Sequence, residues 1–126
     1  MTAKAKILLI DDEPDILDLL EIFLYDEYEV HTASNGFEGL SLLKDTSVDC
    51  IIVDLMMPVM DGIQFLSRVR SMDEAASIPV IVATSFNSAT IQERSLRKIG
   101  FYEVLLKPLS RKLLKTTVRE ALLEHK

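Results

Sequence analysis

Three carboxylates, a hydroxyl and an ammonium stand at the ends of four short apolar runs. Lys6 to Ile10 stops at Asp11 and Asp12, Cys50 to Val53 at Asp54, Val80 to Ala83 at Thr84, and Val104 to Leu106 at Lys107. Runs of this length read as strands, and parallel strands bring their carboxyl ends to one rim, where ligands bind in open α/β sheets. Two carboxylates about 5 Å apart repel by roughly 3 kcal/mol at an effective dielectric of about 20, so stability alone does not gather three of them. A divalent cation removes the repulsion, and hard oxygen donors that leave room for water suit Mg²⁺. Asp12 and Asp54 are the candidate ligands, with Asp11 assisting directly or through water. Asp54 closes an apolar strand and is held rigidly, and a carboxylate so placed beside a cation can attack phosphorus. Lys107 can pair with Asp54 at rest and with a phosphoryl oxygen afterwards, while Thr84 offers a hydroxyl to another oxygen. Each residue has a plainer reading alone. Acids before Pro14 favour a helix N-terminus, Asp54 suits a turn, and Thr84 and Lys107 are ordinary strand and surface residues; the conjunction sets them apart.

The elements that would position these groups alternate as strand then helix, five times. After the first strand, Pro14 opens a helix with Ile16, Leu19, Leu20, Phe23 and Leu24 inward. Tyr28 to Thr32 alternates as an outer strand, and Ser34-Asn35 caps a helix that turns Leu40 and Leu43 inward, with Gly36 and Gly39 for packing or capping. Val48 to Val53 is apolar on both faces apart from Asp49, the pattern of a central parallel strand. Asp61-Gly62 then opens a helix with Leu66, Val69 and Met72 on one side. Ile78 to Ala83, with Pro79 near its start, is the fourth strand. Asn87 or Ser88 caps a fourth helix whose sparse apolar residues, Ile91, Leu96 and Ile99, make it the easiest to move. Gly100 ends it, Phe101 to Leu106 is the last strand, and Leu113, Leu114, Val118, Ala121 and Leu122 mark a final helix. Right-handed crossovers favour a doubly wound, five-stranded parallel α/β sheet.

A chain of 126 residues with 48% hydrophobic side chains supports one domain, 1–126, with a core that needs no disulfide. The single cysteine, Cys50, lies inside an apolar run and reads as a buried thiol. Without a signal-like stretch or a run long enough to span a bilayer, a cytosolic protein with no membrane contact is the expectation. The net charge of −6 hides a partition: Asp11 to Glu29 carries nine acids and no base, whereas Lys107 to Lys126 carries six bases and two acids. The basic end reads as a solvated helix face or as a docking face for an acidic partner. Direct nucleic-acid binding is disfavoured by the negative charge and the lack of a recognition motif.

Asp11-Asp12, Asp54 followed by Met57-Pro58 and Asp61-Gly62, then Thr84-Ser85 and Lys107-Pro108, resemble the receiver domain of two-component response regulators over essentially the whole chain. The resemblance implies a flavodoxin-like sheet in the order 2-1-3-4-5. It implies a phosphoryl group taken by Asp54 from a sensor histidine kinase or histidine phosphotransfer protein, and Mg²⁺ held by Asp12, Asp54 and the Met56 carbonyl. Thr84 and Lys107 would bind the acyl phosphate, and Lys107-Pro108 would be cis. The fourth helix, last strand and final helix would face a downstream partner or a second copy, with Arg111, Lys112, Lys115 and Arg119 included. One position departs from the pattern: Val104 stands where the family usually has Tyr or Phe, so the fourth helix and its flanking loops are expected to carry the signal. Met56 and Phe86 are apolar where polar groups could orient a hydrolytic water, which predicts slow self-dephosphorylation. Two other readings are weighed. A haloacid dehalogenase-type phosphatase would need an acid two residues after the nucleophile, where this chain has Met56. A receiver-like interaction module without phosphorylation would not need the acidic set. Nucleotide-binding glycine motifs are missing.

Overall fold

The computed structural model describes residues 3–85 and 96–124. The expected N-cap at Asn87 or Ser88, Ile91 and Phe86 lie outside the described residues. Five parallel strands are present: β1 (Lys6–Ile10), β2 (Glu29–Ala33), β3 (Cys50–Asp54), β4 (Val80–Thr84) and β5 (Glu103–Leu106), in the order β2-β1-β3-β4-β5. Between them run α1 (Pro14–Leu24), α2 (Gly36–Asp45) and α3 (Gly62–Ser71), and the C-terminal helix Arg111–Glu124 follows β5. Residues 96–99 are helical. The fold is a doubly wound α/β sheet, as the strand-helix alternation predicts, in the flavodoxin-like order that the receiver-domain resemblance implies.

Strand pleating sorts the core into two layers. Leu8, Ile10, Ile51, Val53, Val80 and Val82 face Leu43 of α2 and Phe65, Leu66 and Val69 of α3. Ile7, Leu9, Cys50, Ile52, Ile81 and Ala83 face Leu20 and Leu24 of α1 and Leu114, Val118 and Ala121 of the C-terminal helix. β3 and β4 are buried along their whole length, as central strands covered on both sides must be. Burial pushes the Cys50 thiol up to about 12, so it is an inert core group.

Local chemistry starts the helices. Pro14 occupies the first turn of α1. Asn35 caps α2 by accepting from the Glu38 N–H at 2.8 Å, and the Glu38 carboxylate accepts in return from Ser34. Asp61 and Gln64 form a reciprocal capping box at α3. Several sequence expectations shift. The second strand begins at Glu29 rather than Tyr28, the third at Cys50 rather than Val48, the fourth at Val80 after Pro79, and the last at Glu103 rather than Phe101. Leu19 and Leu113, expected inward, are exposed because each lies at the edge of a stripe whose centre is taken by Leu20 and Leu24, or by Leu114 and Val118.

Arg70, near the end of α3, donates to three backbone carbonyls: Ile78 at 2.7 Å, Ala76 at 3.1 Å and Gly100 at 3.2 Å. It ties the α3–β4 connection and residue 100 to α3. Gly100 has φ +100°, a backbone angle that suits glycine.

Val59, in the loop between β3 and α3, is left-handed at φ +70° with 84% of its surface exposed. A β-branched residue is strained there by about 1–2 kcal/mol and has little packing to lose. Val59→Gly should relieve that strain against a cost of about 0.4–1 kcal/mol in unfolded-chain entropy, for a net gain of up to about 1 kcal/mol read as a higher urea midpoint with an unchanged slope.

Candidate functional site

The register builds the rim stepwise. Ile10 pairs with Val53, so Asp11 emerges from β1 beside Asp54, the last residue of β3. Asp54 pairs with Ala83, which brings Thr84 to the next position on β4, and Thr84 pairs with Leu106, which brings Lys107 to the next position beyond β5. The ladder extends into the loops, with Asp11 N donating to Ala33 O and Lys107 N to Thr84 O. Parallel polarity alone thus delivers residues from four strands to one edge.

Asp11, Asp12 and Asp54 each contribute a carboxylate oxygen within 4.8 Å of the others. That spread is close to the distance of about 4 Å spanned by two magnesium–oxygen bonds, and the donors are all hard oxygens, so the set fits Mg²⁺. Asp12 is exposed, whereas Asp11 and Asp54 are almost wholly buried. The Lys107 Nζ lies 3.0 Å from Asp11 Oδ2 and 3.5 Å from Asp54 Oδ1, so the resting ammonium bonds Asp11 more closely than the Asp54 partner expected from sequence. The other Asp11 oxygen accepts from the Glu13 N–H at 3.0 Å, which orders the turn into α1. The Met56 N–H donates to Asp54 Oδ1 at 3.3 Å and sets that peptide beside the carboxylate. The Lys107-Pro108 bond is cis.

Thr84 is fully buried, and its Oγ1 has no hydrogen-bond partner among the described residues. An orphaned buried hydroxyl costs about 1–3 kcal/mol, so one at the mouth of a site marks a place for a ligand oxygen. Gly62 is required by close approach: a Cβ there would stand 2.7 Å from both Asp54 O and Leu55 Cα. Its N–H donates to Leu55 O, so the start of α3 is clamped on the chain that carries Asp54. Sequence reasoning assigned Asp61-Gly62 only to a helix start. The sharp chain reversal after Pro58 is the signal that could have revealed this clamp.

Burial lifts the Asp54 carboxyl to about 6; the Lys107 charge opposes the shift and the Asp11 charge adds to it. Burial works against the Lys107 ammonium, but the bond to Asp11 and the Asp54 charge outweigh it, and Lys107 stays above its ordinary value. Val104 is half-buried and packs with Phe101 against the layer that faces α2 and α3. Beside the rim, Leu106 and Leu113 are exposed, as are Arg111, Lys112 and Arg119. Lys115, expected to join that surface, instead bonds Glu27 at 2.7 Å and Asp26 at 3.3 Å, spending its charge on the acidic segment of the same chain. No helix among the described residues is long and apolar enough to cross a membrane.

A raised carboxyl pKa means that folded Asp54 holds its proton more tightly than unfolded Asp54, so metal-free stability falls as pH rises from about 4 to about 6 and stays lowered above. Without divalent metal, Asp54→Asn should be more stable than wild type at pH 7 by on the order of 1–2 kcal/mol. The difference should vanish below about pH 4, as measured by denaturant titration at each pH.

Comparison with known proteins is consistent over the whole sheet. The family model for the response regulator receiver domain matches residues 7–119. An uncharacterized 14.6 kDa protein encoded in the sodA1 3′ region of Leptolyngbya boryana is 37% identical over 108 residues, covering 85% of this chain and 82% of that protein. The transcriptional regulatory protein SrrA of Staphylococcus aureus is 37% identical over 106 residues, covering 83% of this chain but only 42% of its own length. Among solved structures, the chemotaxis protein CheY4 of Vibrio cholerae superposes with a TM-score of 0.89 at 32% identity, covering 95% of this chain and all of that one.

Proposed function

The chain belongs to the response regulator receiver domain family, and from that membership we propose that it takes a phosphoryl group on Asp54 from a phosphohistidine of a sensor histidine kinase or histidine phosphotransfer protein. The observation that carries this reading is the buried Asp54 carboxylate flanked by the Lys107 ammonium, with the Thr84 hydroxyl, unpartnered among the described residues, one register step away. A carboxylate oxygen of Asp54 attacks phosphorus, and the donor's P–N bond breaks with its electron pair passing to the imidazole nitrogen. Asp11, Asp12, Asp54 and the Met56 carbonyl would hold Mg²⁺, which supplies charge neutralisation to the incoming phosphoryl oxygens. Lys107 moves its hydrogen bond from the carboxylates to one phosphoryl oxygen, and Thr84 donates to another.

The same contacts supply the switch. A phosphoryl group shifts conformation only by bonding better in one state than in the other. Thr84 has no acceptor among the described residues at rest and gains one on transfer, so the new bond favours the state that brings β4 to the phosphoryl group. The response is read on the face of β5 and the C-terminal helix, where Leu106 and Leu113 are exposed beside Arg111 and Lys112. A downstream protein or a second receiver docks there. The protein is a phosphoacceptor that assists its own chemistry rather than a turnover enzyme. The half-exposed Met56 side chain offers no polar group to orient water, so the acyl phosphate is long-lived.

Incubation with acetyl phosphate and Mg²⁺ should add one phosphoryl mass to wild type and none to Asp54→Asn, with Lys107→Met slowed on the order of 10²-fold. Equal labelling of Asp54→Asn would overturn the assignment. Thr84→Ala should still accept the group but lose the change in amide exchange at residues 96–106 that wild type shows on phosphorylation. Met56→Asn should shorten the phosphoryl half-life.

A further inference from the structure

Two unpartnered surfaces lie on opposite sides of the sheet and complement each other. Between α2 and α3 run two adjoining concavities of about 390 and 440 Å³ that share Phe37, Ser67 and Arg68. Phe37, Leu40 and Ile63 supply apolar wall, and Lys44 and Arg68 supply charge. No acidic side chain lines either concavity. On the other side of the sheet, α1 exposes Leu19 and Ile22, and Tyr25, its C-cap, is exposed beside them. Asp15, Asp18 and Glu21 are exposed around them, with no base on that helix.

We infer that this groove receives helix α1 of a second copy of the chain. The dimensions agree: Leu19 to Tyr25 covers about 9 Å of helix and Phe37 to Lys44 about 10 Å of groove wall. The charges agree as well. Among the described residues, Lys44 and Arg68 make no ion pair, and neither do Asp15, Asp18 and Glu21. Both partners therefore carry exposed charge of opposite sign, set around apolar anchors of which Ile22, Tyr25 and Phe37 are more than half exposed. This is the anchor-and-rim arrangement of a helix-in-groove contact. Leu19 and Leu113 both miss their expected inward places, but only Leu19 has exposed apolar neighbours on its own helix at the spacing such a contact uses.

The symmetry follows from the fold. α1 packs on one layer of the core and the α2–α3 pair on the other, so a single molecule presents donor and acceptor surfaces back to back. The contact is heterologous, and copies add head to tail without closing into a dimer. The patch is small, so each contact is weak and association grows with concentration. It is independent of phosphorylation.

Sedimentation velocity across a concentration series tests this. Wild type should show a weight-average sedimentation coefficient that climbs without a plateau. Ile22→Glu, which blunts α1, should remain monomeric throughout, and so should Phe37→Ser/Arg68→Glu, which blunts the groove. All three altered side chains are exposed, so the variants should melt like wild type by circular dichroism. Mixing the two variants leaves one intact α1 and one intact groove, and should restore a species of two chains and no larger. Wild type that stays monomeric, association that survives in either variant, or a mixture that stays monomeric would each overturn the inference.

Discussion

One ammonium holds the rim together. Lys107 sits against two buried carboxylates that would otherwise repel each other at close range. Breaking such a buried arrangement by removing one partner costs several kcal/mol, because the remaining charge is stranded. Even with Lys107 in place, burial leaves Asp54 short of compensation and lifts its carboxyl to about 6. The imbalance is the physical basis of the site: the resting rim carries more negative charge than its surroundings stabilise. A cation and a phosphoryl group arriving together relieve it.

The sheet exists to make that crowding possible. Parallel polarity brings the ends of β1, β3, β4 and β5 to one edge, and the register places Asp11, Asp54, Thr84 and Lys107 in consecutive steps across it. Full burial of β3 and β4 keeps Asp54 and Thr84 from drifting, since close-packed side chains leave them no room. Gly62 then lets the turn of α3 rest directly on the backbone of Asp54 and Leu55.

Much of this was legible in the residues because both signals are periodic or directional. Apolar runs of strand length, separated by helical spacing, dictate the alternation, and the polar residue ending each run dictates what reaches the rim. What escaped depends on geometry that no spacing encodes. Lys107 lies nearer Asp11 than Asp54, a difference of half an ångström between two neighbouring carboxylates that residue order cannot specify. The pairing of Lys115 with Asp26 and Glu27 depends on how the C-terminal helix crosses α1, so a charge partition readable in the sequence turned out to be closed in part within the molecule. Leu19 and Leu113 were misplaced because a helical stripe has soft edges, and one position of rotation separates core from solvent. The left-handed Val59 has no sequence signal at all, being a residue that the conformation disfavours.

Arg70 gives the region behind the rim a mechanical character. Its guanidinium fork grips carbonyls of residues 76, 78 and 100, and so rivets the far end of the 96–100 segment to α3. A flexible ammonium in its place could not span three such acceptors at once, because it lacks the planar, pre-shaped fork. With that end pinned, the chain enters β5 from a point that α3 itself holds, so the register that delivers Lys107 to the rim starts from an anchored backbone.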